Sequence, residues 1–578
     1  MINPPAKYWK IKQQGDSEIV DVLSRELNVP RVIADLLVQR NIRTFDEARA
    51  FFRPQLSDLH DPFLMRDMDK AVTRIDKAIQ QGEKILVYGD YDVDGTTAVA
   101  MTYLFLQNYH RKIDYYVPDR YNEGYGISFK GIDYAAQQGY TLIIALDCGI
   151  KAVEKVKYAK NKGVDFIICD HHEPDEEIPE AVAVLDPKRP DCHYPFNELS
   201  GCGVGFKLLQ AYCQHRNIPF EEIIPFLDLV SVSIASDIVP ITGENRVLAY
   251  HGLKQLNNNP RTGLRAIIKK AGIEGKEIAI DDIVFKIGPR INAAGRIESG
   301  RHSVDLLISD NEADAAGKGD IINTYNNERK EKDQLITMQA MKVISENKDL
   351  IKRKTTVLFN PEWHKGVIGI VASRLIETFY RPTIILTESN GFITGSARSV
   401  PGFDLYHALE SCSDLLETFG GHMYAAGLTL KKDALKTFQD RFEEVVADTI
   451  EPEMLIPHMD IDAELKLSDI TPKLYNLVKQ FQPFGPGNMS PVFFTENVAD
   501  NGTGRAVGSE GEHLKLSLIS EENPFNEMQG IAFGLGYLSD QINKGATFDV
   551  CYSIDENTFR GNTNLQLKVK DIKIDSRK

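Results

Sequence analysis

The chain has 578 residues, of which 42% are hydrophobic and 26% are charged, and its formal net charge is −16. These values are ordinary for a folded protein, and they exclude a mostly disordered chain and a small scaffold held by disulfide bonds. Because the net charge is negative, a nucleic-acid partner would have to be bound by local basic patches.

The first 55 residues predict helices, since the stretches SEIVDVLSREL and PRVIADLLVQR carry apolar residues at three- and four-residue spacing. A long region follows in which short apolar runs alternate with helical patterns; the runs are KILVYG, IDYYV, TLIIAL, DFIIC and AVAVL. This alternation predicts a parallel sheet covered by helices on both faces. In such sheets, ligands bind at the carboxyl ends of the strands.

The second half of the chain predicts three further elements. Residues 311–349 are polar, periodic and free of proline, which indicates a long connecting helix. Residues 355–448 contain the apolar runs TVLF and PTIIL and predict a second α/β region. After the proline-containing segment EPEMLIP, about five strands are expected, as in a small β-barrel of the OB type.

The expected fold class is therefore α/β, with two α/β domains joined by a long helix and followed by a C-terminal OB-type β-barrel. The predicted ranges are 1–55 for an N-terminal helical segment, 56–308 for the larger α/β domain, 309–350 for the connecting helix, 351–450 for the smaller α/β domain and 451–578 for the barrel.

Cysteine content and hydropathy predict the compartment. The seven cysteines form no CxxC pair, which indicates reduced thiols in a cytoplasmic protein. The N-terminus has no apolar stretch typical of a secretory signal. No apolar run approaches the ~20 residues that span a bilayer, so we expect no membrane association.

Four segments place acids or histidines after apolar runs that we expect to be strands: Asp90–Asp94, Asp147, Asp170–His172 and Asp237. In the first segment, DYDVDG, an extended loop would point Asp90, Asp92 and Asp94 to the same side. Thr96 or Thr97 would then cap the following helix. Parallel strands would bring the four segments to one edge of the sheet.

Each segment alone has a simpler interpretation. DYDVDG could form a calcium loop of the EF-hand type, but Met101 stands where that loop requires a bidentate glutamate. Asp147 alone could be a helix cap, and the adjacent His171 and His172 could be polar loop residues. Together, however, the acids would repel each other unless cations lay among them.

Carboxylate oxygens with an imidazole suit Mn²⁺ or Mg²⁺. Two such ions, about 3.5–4 Å apart, are the usual arrangement for in-line attack on phosphorus. The residues therefore predict a phosphoesterase with two metal ions.

The motifs DYDVDG, LDCG, DHH and ASD, in this order and spacing, resemble those of the DHH phosphoesterase superfamily. Further blocks are similar to the RecJ family of single-strand-specific 5′→3′ exonucleases: FKIGPRINAAGRIESG, WHKGVIGIVASRL, GSARSVPGFDL, GGHMYAAGLTL and FQPFGPGNMSPVF. The resemblance covers nearly the whole chain beyond residue 50 and implies that the smaller α/β domain is of the DHHA1 type. One departure is Tyr88-Gly89 at the start of the first motif, where a histidine is common in relatives.

The resemblance implies a set of functional residues. The implied ligands of two Mn²⁺ or Mg²⁺ ions are Asp90, Asp92, Asp94, Asp147, His171 and Asp237. Among these, Asp94 and Asp147 are also counted as catalytic. It places His172 near the scissile phosphate, as a further catalytic residue, and Asp170 as the residue that orients a histidine.

A second implied set binds the substrate: Arg120, Arg290, Arg296, Ser396, Arg398, Gly421 and His422. Arginine suits this role because its guanidinium binds phosphate oxygens in pairs. In the family, a pocket that includes the PDR and GSAR blocks receives the 5′ end, which carries over to Arg120, Ser396 and Arg398. Base-stacking candidates are Tyr121, Tyr125, Trp363, Phe403 and Tyr424, although a core or scaffold role is the more common one for each.

The function implied by the resemblance is hydrolysis of single-stranded DNA from the 5′ end by a two-metal mechanism, with release of 5′-mononucleotides, in recombination and repair. The implied partners are single-stranded DNA, a single-strand-binding protein and repair helicases, and the protein is expected to be a monomer.

Two alternatives remain open at this point. One is a small-nucleotide phosphodiesterase, nanoRNase or pyrophosphatase of the same superfamily, although the strands after Pro457 favour a polymer substrate. The other is a non-enzymatic scaffold, although the retained acids favour an enzyme.

Overall fold

The computed structural model describes residues 5–520, 523–542, 545–559 and 562–574. The chain forms two compact units. One unit holds Leu56–Leu455, and the other combines Ala6–Gln55 with Ile456–Lys578. Among the described helices, we find none with the length and hydropathy needed to cross a membrane.

The strands in chain order are β1 (Tyr8–Ile11), β2 (Lys84–Gly89), β3 (Ile113–Tyr116), β4 (Tyr140–Leu146), β5 (Asp165–Cys169), β6 (Ala183–Leu185), β7 (Thr356–Phe359), β8 (Thr383–Ser389), β9 (Phe392–Arg398), β10 (Thr418–His422), β11 (Ala425–Leu430), β12 (His458–Ile461), β13 (Ala463–Glu464), β14 (Phe493–Asp500), β15 (Arg505–Val507), β16 (His513–Ser520), β17 (Asn523–Ala532), β18 (Phe548–Phe559) and β19 (Asn562–Ile574).

The helices are α1 (Ser17–Leu27), α2 (Arg31–Val38), α3 (Phe45–Phe52), α4 (Met68–Gln81), α5 (Val93–Leu106), α6 (Phe129–Gln138), α7 (Val153–Asn161), α8 (Gly201–Arg216), α9 (Leu227–Ser236), α10 (Gly243–Asn258), α11 (Thr262–Lys270), α12 (Ile280–Asp282), α13 (Gly288–Ile297), α14 (Arg301–Leu307), α15 (Glu312–Glu346), α16 (Lys348–Lys352), α17 (Ile368–Phe379), α18 (Leu405–Glu410), α19 (Leu435–Thr449), α20 (Pro472–Lys479) and α21 (Ser539–Ile542).

The first sheet of the larger unit is parallel throughout, with the strand order β3-β2-β4-β5-β6. In β2, Ile85 and Val87 belong to one hydrophobic cluster, whereas Leu86 and Tyr88 belong to another. Successive side chains of a strand point to opposite faces, so both faces of this sheet are covered. This explains why the strand is a continuous apolar run, and it confirms the predicted parallel α/β sheet.

The prediction that Asp237 follows a strand is wrong, because the preceding residues form helix α9. Its residues from Leu227 to Ala235 are all buried. A helix buried on every side shows no amphipathic period, so a short apolar run of this kind resembles a buried strand in the sequence. Asp237 ends the helix, and its N–H donates to Ser233 O at 2.9 Å.

The predicted connecting helix is confirmed as α15, which is 35 residues long. Asn311 caps it, and its side chain accepts hydrogen bonds from the N–H groups of Ala313 and Asp314. The second sheet of this unit follows, with the order β10-β11-β9-β8-β7. Only the pair β7–β8 is parallel, so this sheet is mixed.

The second unit contains a seven-stranded sheet where the sequence predicts about five strands. The short strands β13 and β15 account for the difference, because two or three residues carry no readable alternation. The N-terminal segment is also not wholly helical, since β1 pairs in parallel with β12. Helices α1–α3 contribute Val20, Leu23 and Ala48 to the same hydrophobic core as Phe493 of the sheet.

Candidate metal centre and phosphate-binding residues

His171, just beyond the end of β5, lies among three carboxylates. Its Nε2 is 3.2 Å from Asp147 Oδ1. The same nitrogen is 3.6 Å from Asp237 Oδ2 and 3.7 Å from Asp94 Oδ2. Asp94 lies at the start of α5, Asp147 follows β4, His171 follows β5 and Asp237 follows α9. The first and the last of them are 143 positions apart in the chain (237 minus 94). The structure therefore brings together four of the predicted metal ligands.

Asp147 has an unusual backbone conformation that orients its side chain. It directly follows β4 and has a φ of 58°, a left-handed conformation that costs about 1–3 kcal/mol and persists mainly at functional sites. Its N–H donates to Cys169 O at 2.8 Å, which continues the parallel pairing of β4 with β5. The strained position thus directs the carboxylate away from the strand and towards His171.

The first acidic motif differs from its predicted form. Helix α5 already begins at Val93, so Asp94 lies in the first helical turn and the three acids do not share one extended loop. Asp92, rather than Thr96 or Thr97, is the N-cap, and its carboxylate accepts a hydrogen bond from Gly95 N at 3.0 Å. The threonine prediction fails because both hydroxyls donate to carbonyls of the same turn.

Asp94 lies in a cradle of donors that the sequence analysis missed. Its two oxygens accept hydrogen bonds from Gly201 N and Cys202 N, both at 2.7 Å. The Ser233 hydroxyl donates to Oδ1 at 2.7 Å, and it also contacts Ser200 Oγ. The two backbone donors belong to the N-terminus of α8, where partial positive charge stabilises an anion, and Ser233 belongs to α9. The only signal in the sequence is a serine cap before the glycines of SGCGVG.

The donor atoms fit a pair of divalent cations. The ligand atoms of Asp94, His171 and Asp237 lie within 4.8 Å of one another, and Asp147 and His171 belong to a second such group, whose third member, His172, is bonded to Asp170. Among the described residues, buried Asp147 Oδ2, His171 Nε2 and Asp90 Oδ2 have no hydrogen-bond partner. Carboxylate oxygens and one shared imidazole are ligands that Mn²⁺ and Mg²⁺ accept.

The electrostatics of the site also favour a cation. Burial raises the pKa of Asp147 well above its usual range, and the charges of Asp94, Asp92 and Asp237 raise it further. Burial and the neighbouring carboxylates Asp94 and Asp92 raise the pKa of Asp237 in the same way. Burial lowers the pKa of His171, which favours the neutral imidazole that a metal requires. The ionised acids are therefore destabilised in the protein alone, and a bound cation would relieve this.

Asp170 holds His172 in place. Its Oδ1 accepts from His172 Nδ1 at 2.7 Å and from the N–H groups of His171 and His172, and its Oδ2 accepts from Ile150 N. Burial opposes the charge of Asp170, but these hydrogen bonds lower its pKa to about 2. Burial likewise disfavours the charged His172, but Asp170 raises its pKa to about 9. His172 is thus held as a cation whose Nε2 is 3.3 Å from the hydroxyl of Tyr125.

Arg120, Arg296 and Arg398 form a cationic cluster in the same unit. Burial lowers the pKa of Arg296 to about 9, and the charges of Arg120, Arg329 and Arg398 add to the effect. Arg398 donates to Ser396 Oγ at 3.0 Å. No ion pair joins Arg120, Arg296 or Arg398 to an acid in the part of the chain that the structure describes. Uncompensated guanidinium groups of this kind suit a phosphate. Arg329, on α15, is a member that the sequence analysis missed.

The remaining predicted substrate residues have partners within the protein. The guanidinium of Arg290 donates to Asn323 Oδ1 and to the carbonyls of Lys286 and Lys270. Gly421 has a φ of 146°, and a Cβ there would lie 2.3 Å from Ala425 O in the β10–β11 pair. His422 is exposed, and its Nδ1 accepts from Tyr424 N at 3.3 Å. Contacts of these residues with DNA stay predictions.

Two of the five stacking candidates, Trp363 and Phe403, are core residues. Trp363 is 5% exposed and Phe403 is 4% exposed, so neither ring is available to a base. Both pack in hydrophobic clusters, because aromatic side chains bury large apolar areas. Tyr125 and Tyr424 are about half exposed, at 49% and 47%. The hydroxyl of Tyr121 donates to Arg296 O.

A parallel sheet that presents carboxylates and a histidine beside a cluster of arginines defines a metal-dependent phosphoesterase. A model of the DHH family N-terminal domain matches residues 84–234, a DHHA1 domain model matches 352–448 and a RecJ OB domain model matches 461–571. The chain belongs to the RecJ family.

Curated relatives and a solved structure support this assignment. The single-stranded-DNA-specific exonuclease RecJ of Bacillus subtilis is 36% identical, over 97% of this chain and 70% of its own length. The protein of the same name from Escherichia coli is 31% identical, over 96% of this chain and 98% of its own length. The crystal structure of RecJ in complex with Mn²⁺ from Thermus thermophilus has a TM-score of 0.84 at 25% identity, over 98% of this chain and 79% of that chain.

Gly201 provides a first test of the metal centre. A Cβ at this position would lie 2.6 Å from both Cβ and Oδ1 of Asp147, closer than real contacts allow. We expect Gly201→Ala to displace Asp147 and to lower the affinity for Mn²⁺ by about 10–100-fold. The measurement is the rise in melting temperature on adding Mn²⁺ to metal-free protein.

Gly203→Ala is the matched control in the same helix, because the nearest atoms to a Cβ there are Ser200 Oγ at 3.3 Å and side-chain atoms of Leu199 at 3.5 Å. Equal Mn²⁺ responses of the two variants would show that the close approach of Gly201 to Asp147 does not shape the site.

Proposed function

We propose that the protein hydrolyses single-stranded DNA from its 5′ end with two Mn²⁺ or Mg²⁺ ions and releases 5′-mononucleotides. The observation that carries the proposal is a continuous path of side chains from the arginine cluster to the metal centre. Arg120 lies over the ring of Tyr91 at 5.0 Å, and the ring of Tyr91 contacts that of Tyr125 at 6.0 Å. Tyr125 in turn contacts His172. In this proposal, a terminal phosphate bound by the arginines leads the following part of the strand along this path towards the metal centre.

Asp92, Asp94, Asp147, His171 and Asp237 would hold the ions, with Asp90 as a further ligand or a support. When bound, the ions supply an activated water at neutral pH and neutralise charge on the phosphate oxygens. The carboxylates of these residues must be ionised for this role, which their mutual repulsion opposes until the cations bind.

His172 supplies a proton donor in this scheme. Asp170 holds its Nδ1, so Nε2 is the atom that faces Tyr125 and the open side of the site. A cationic imidazole with a pKa of about 9 binds a phosphate oxygen and can donate its Nε2 proton to the departing 3′ oxygen.

The cluster of Arg120, Ser396 and Arg398 would bind the 5′-terminal phosphate. Arg398 uses Nη1 for Ser396 Oγ and Ala397 O, which leaves further guanidinium donors for a ligand. A Cβ at Gly369, in the first turn of α17, would lie 3.0 Å from Arg398 Nη2. The glycine thus leaves room beside this guanidinium. Capture of the terminal phosphate is the physical basis that we propose for the 5′→3′ direction.

The two rival functions are less well supported. A small-nucleotide phosphodiesterase does not require the barrel domain that matches the RecJ OB model at residues 461–571. A non-enzymatic scaffold does not require the three carboxylates that converge on His171 Nε2. Both the barrel and the convergence favour a nuclease that acts on a polymer.

The cellular role follows from the family. We propose that the protein acts as a monomer in cytoplasmic DNA recombination and repair, with a single-strand-binding protein and repair helicases as partners. Seven free cysteines, six of them buried, suit a reducing compartment.

The test is digestion of single-stranded and duplex DNA that carries a label at either the 5′ or the 3′ end. With Mn²⁺, we expect single strands to be degraded, a 5′ label to appear at once as a mononucleotide, and a 3′ label to remain on progressively shorter strands. EDTA should stop the reaction, because the carboxylates alone cannot activate water. Early release of the 3′ label, or equal cleavage of duplex DNA, would contradict the proposed direction or strand preference.

A further inference from the structure

Asn245, in the first turn of α10, joins two backbone segments from a position outside the metal centre. Its side chain is fully buried. Its Nδ2 donates to Glu198 O at 2.5 Å and to Pro240 O at 3.0 Å. Among the described residues, its Oδ1 has no hydrogen-bond partner. The buried amide nitrogen donates to carbonyls of two different backbone segments. It therefore fixes the position of one segment relative to the other.

The first of these segments leads into the cradle of Asp94. Glu198 lies two residues before Ser200, which caps helix α8, and α8 begins at Gly201. The N–H groups of Gly201 and Cys202 hold the carboxylate of Asp94. Gly201 also packs so closely against Asp147 that it has no room for a Cβ. A shift of this segment would therefore move both carboxylates.

The second segment carries Asp237. Pro240 follows it by three residues, and Ile238 between them has a φ of 60°. A β-branched residue rarely adopts this left-handed conformation, because its side chain crowds the backbone. Such a conformation persists only when surrounding contacts impose it. The bond from Asn245 to Pro240 O is one of these contacts, and it acts directly on the short loop that presents Asp237 to His171.

We infer that Asn245 is a positioning residue that sets the distance of Asp237 from Asp94 and Asp147, and thereby the affinity of the site for its cations. It acts through the two carbonyls and contacts neither the ions nor the DNA. The inference rests on the proposed metal-dependent function. Residues that orient ligands in this way typically change metal affinity by about 10–100-fold when they are replaced.

The test compares Asn245→Ala with Asn257→Ala. Asn257 lies on the same helix, and its Nδ2 donates to Leu253 O, one turn earlier, at 2.9 Å and to Ile278 O at 3.0 Å. Neither carbonyl belongs to a segment that holds a proposed ligand. Asn245 is buried and Asn257 is exposed, so the melting temperatures of the two metal-free variants are compared first, and any difference between them measures the effect of the change on the fold alone.

The readouts are Mn²⁺ affinity by titration calorimetry and the Mn²⁺-dependent rise in melting temperature of metal-free protein. For Asn245→Ala we expect an affinity about 10–100-fold below that of Asn257→Ala, and DNA hydrolysis that recovers as Mn²⁺ is raised. If Asn245→Ala does not fold, Asn245→Ser, which keeps one donor, is measured by the same criteria.

Equal Mn²⁺ affinities of the Asn245 and Asn257 variants would overturn the inference. This outcome is distinct from a failure of the proposed function. A wild-type protein that does not cut single-stranded DNA in Mn²⁺ contradicts the function, whereas an active wild type with equal affinities of the two variants contradicts only the role of Asn245.

Discussion

Replacing Asp147 by asparagine is expected to reduce DNA hydrolysis by on the order of 10³-fold or more, equivalent to about 4 kcal/mol of transition-state stabilisation. The side chain is 3.2 Å from His171 Nε2 and belongs to one of the two candidate ligand groups. Asparagine is the appropriate change, because it tolerates the left-handed backbone at this position better than alanine does. The measurement is the initial rate on single-stranded DNA at saturating Mn²⁺.

The same variant makes a second prediction possible for the metal-free protein. The pKa of Asp147 is raised by burial and by neighbouring acids, so its ionised form is unfavourable in the fold. We therefore expect the metal-free variant to melt no lower than the wild type, but to gain little stability from Mn²⁺. A purely structural aspartate would give the opposite pattern, with a lower melting temperature and an unchanged response to Mn²⁺.

Asp165→Asn is the matched control for this variant. Asp165 begins β5, at the end of the sheet opposite to the metal centre, and its partner is Arg74. We expect this change to leave hydrolysis and the Mn²⁺ response intact. If Asp147→Asn hydrolyses DNA as fast as Asp165→Asn does, Asp147 is not a ligand of the metal centre.

Replacing Arg398 by alanine is expected to abolish the preference for a 5′-phosphorylated end. The guanidinium lies beside Arg120 and Arg296 without an acidic partner among the described residues, and a charge-assisted hydrogen bond is worth about 1.5–3 kcal/mol. We expect binding of 5′-phosphorylated single strands to weaken by about 10–100-fold. The salt dependence of binding should fall by about one phosphate contact.

The measurement compares 5′-phosphate and 5′-hydroxyl oligonucleotides, in both affinity and rate, for wild type and variant. Arg441→Ala is the control in the same domain, because Arg441 forms a surface ion pair with Asp414 at 3.9 Å, and a pair of this kind contributes little. If Arg398→Ala still distinguishes the two ends as the wild type does, the cluster does not bind the terminal phosphate.

Most of the candidate metal centre could be predicted because a parallel sheet brings the residues that follow its strands to one edge. Asp147 directly follows β4, His171 is the second residue after β5, and the DYDVDG motif follows β2. Parallel neighbours end at the same edge, so residues after successive apolar runs must meet. The strands themselves are legible because burial on both faces requires continuous apolar runs.

Other features depend on contacts between residues far apart in the chain. No local pattern shows that Gly201 and Ser233 bind Asp94, or that Asn245 links Glu198 to Pro240. The same holds for the N-terminal helices, which share a hydrophobic core with strands more than 400 positions later.

The sequence by itself therefore determined the class of chemistry, the sheet that supports it and most of the candidate ligands, because these depend on side-chain type and on local periodicity. The tertiary structure alone decided how the candidate ligands are held. It placed Asp237 at the end of a buried helix, brought Arg329 of the long helix α15 to the other arginines, and closed backbone amides around Asp94. The physical reason is that hydrogen bonds and charge interactions act over a few ångströms in space, whatever the separation of their partners along the chain.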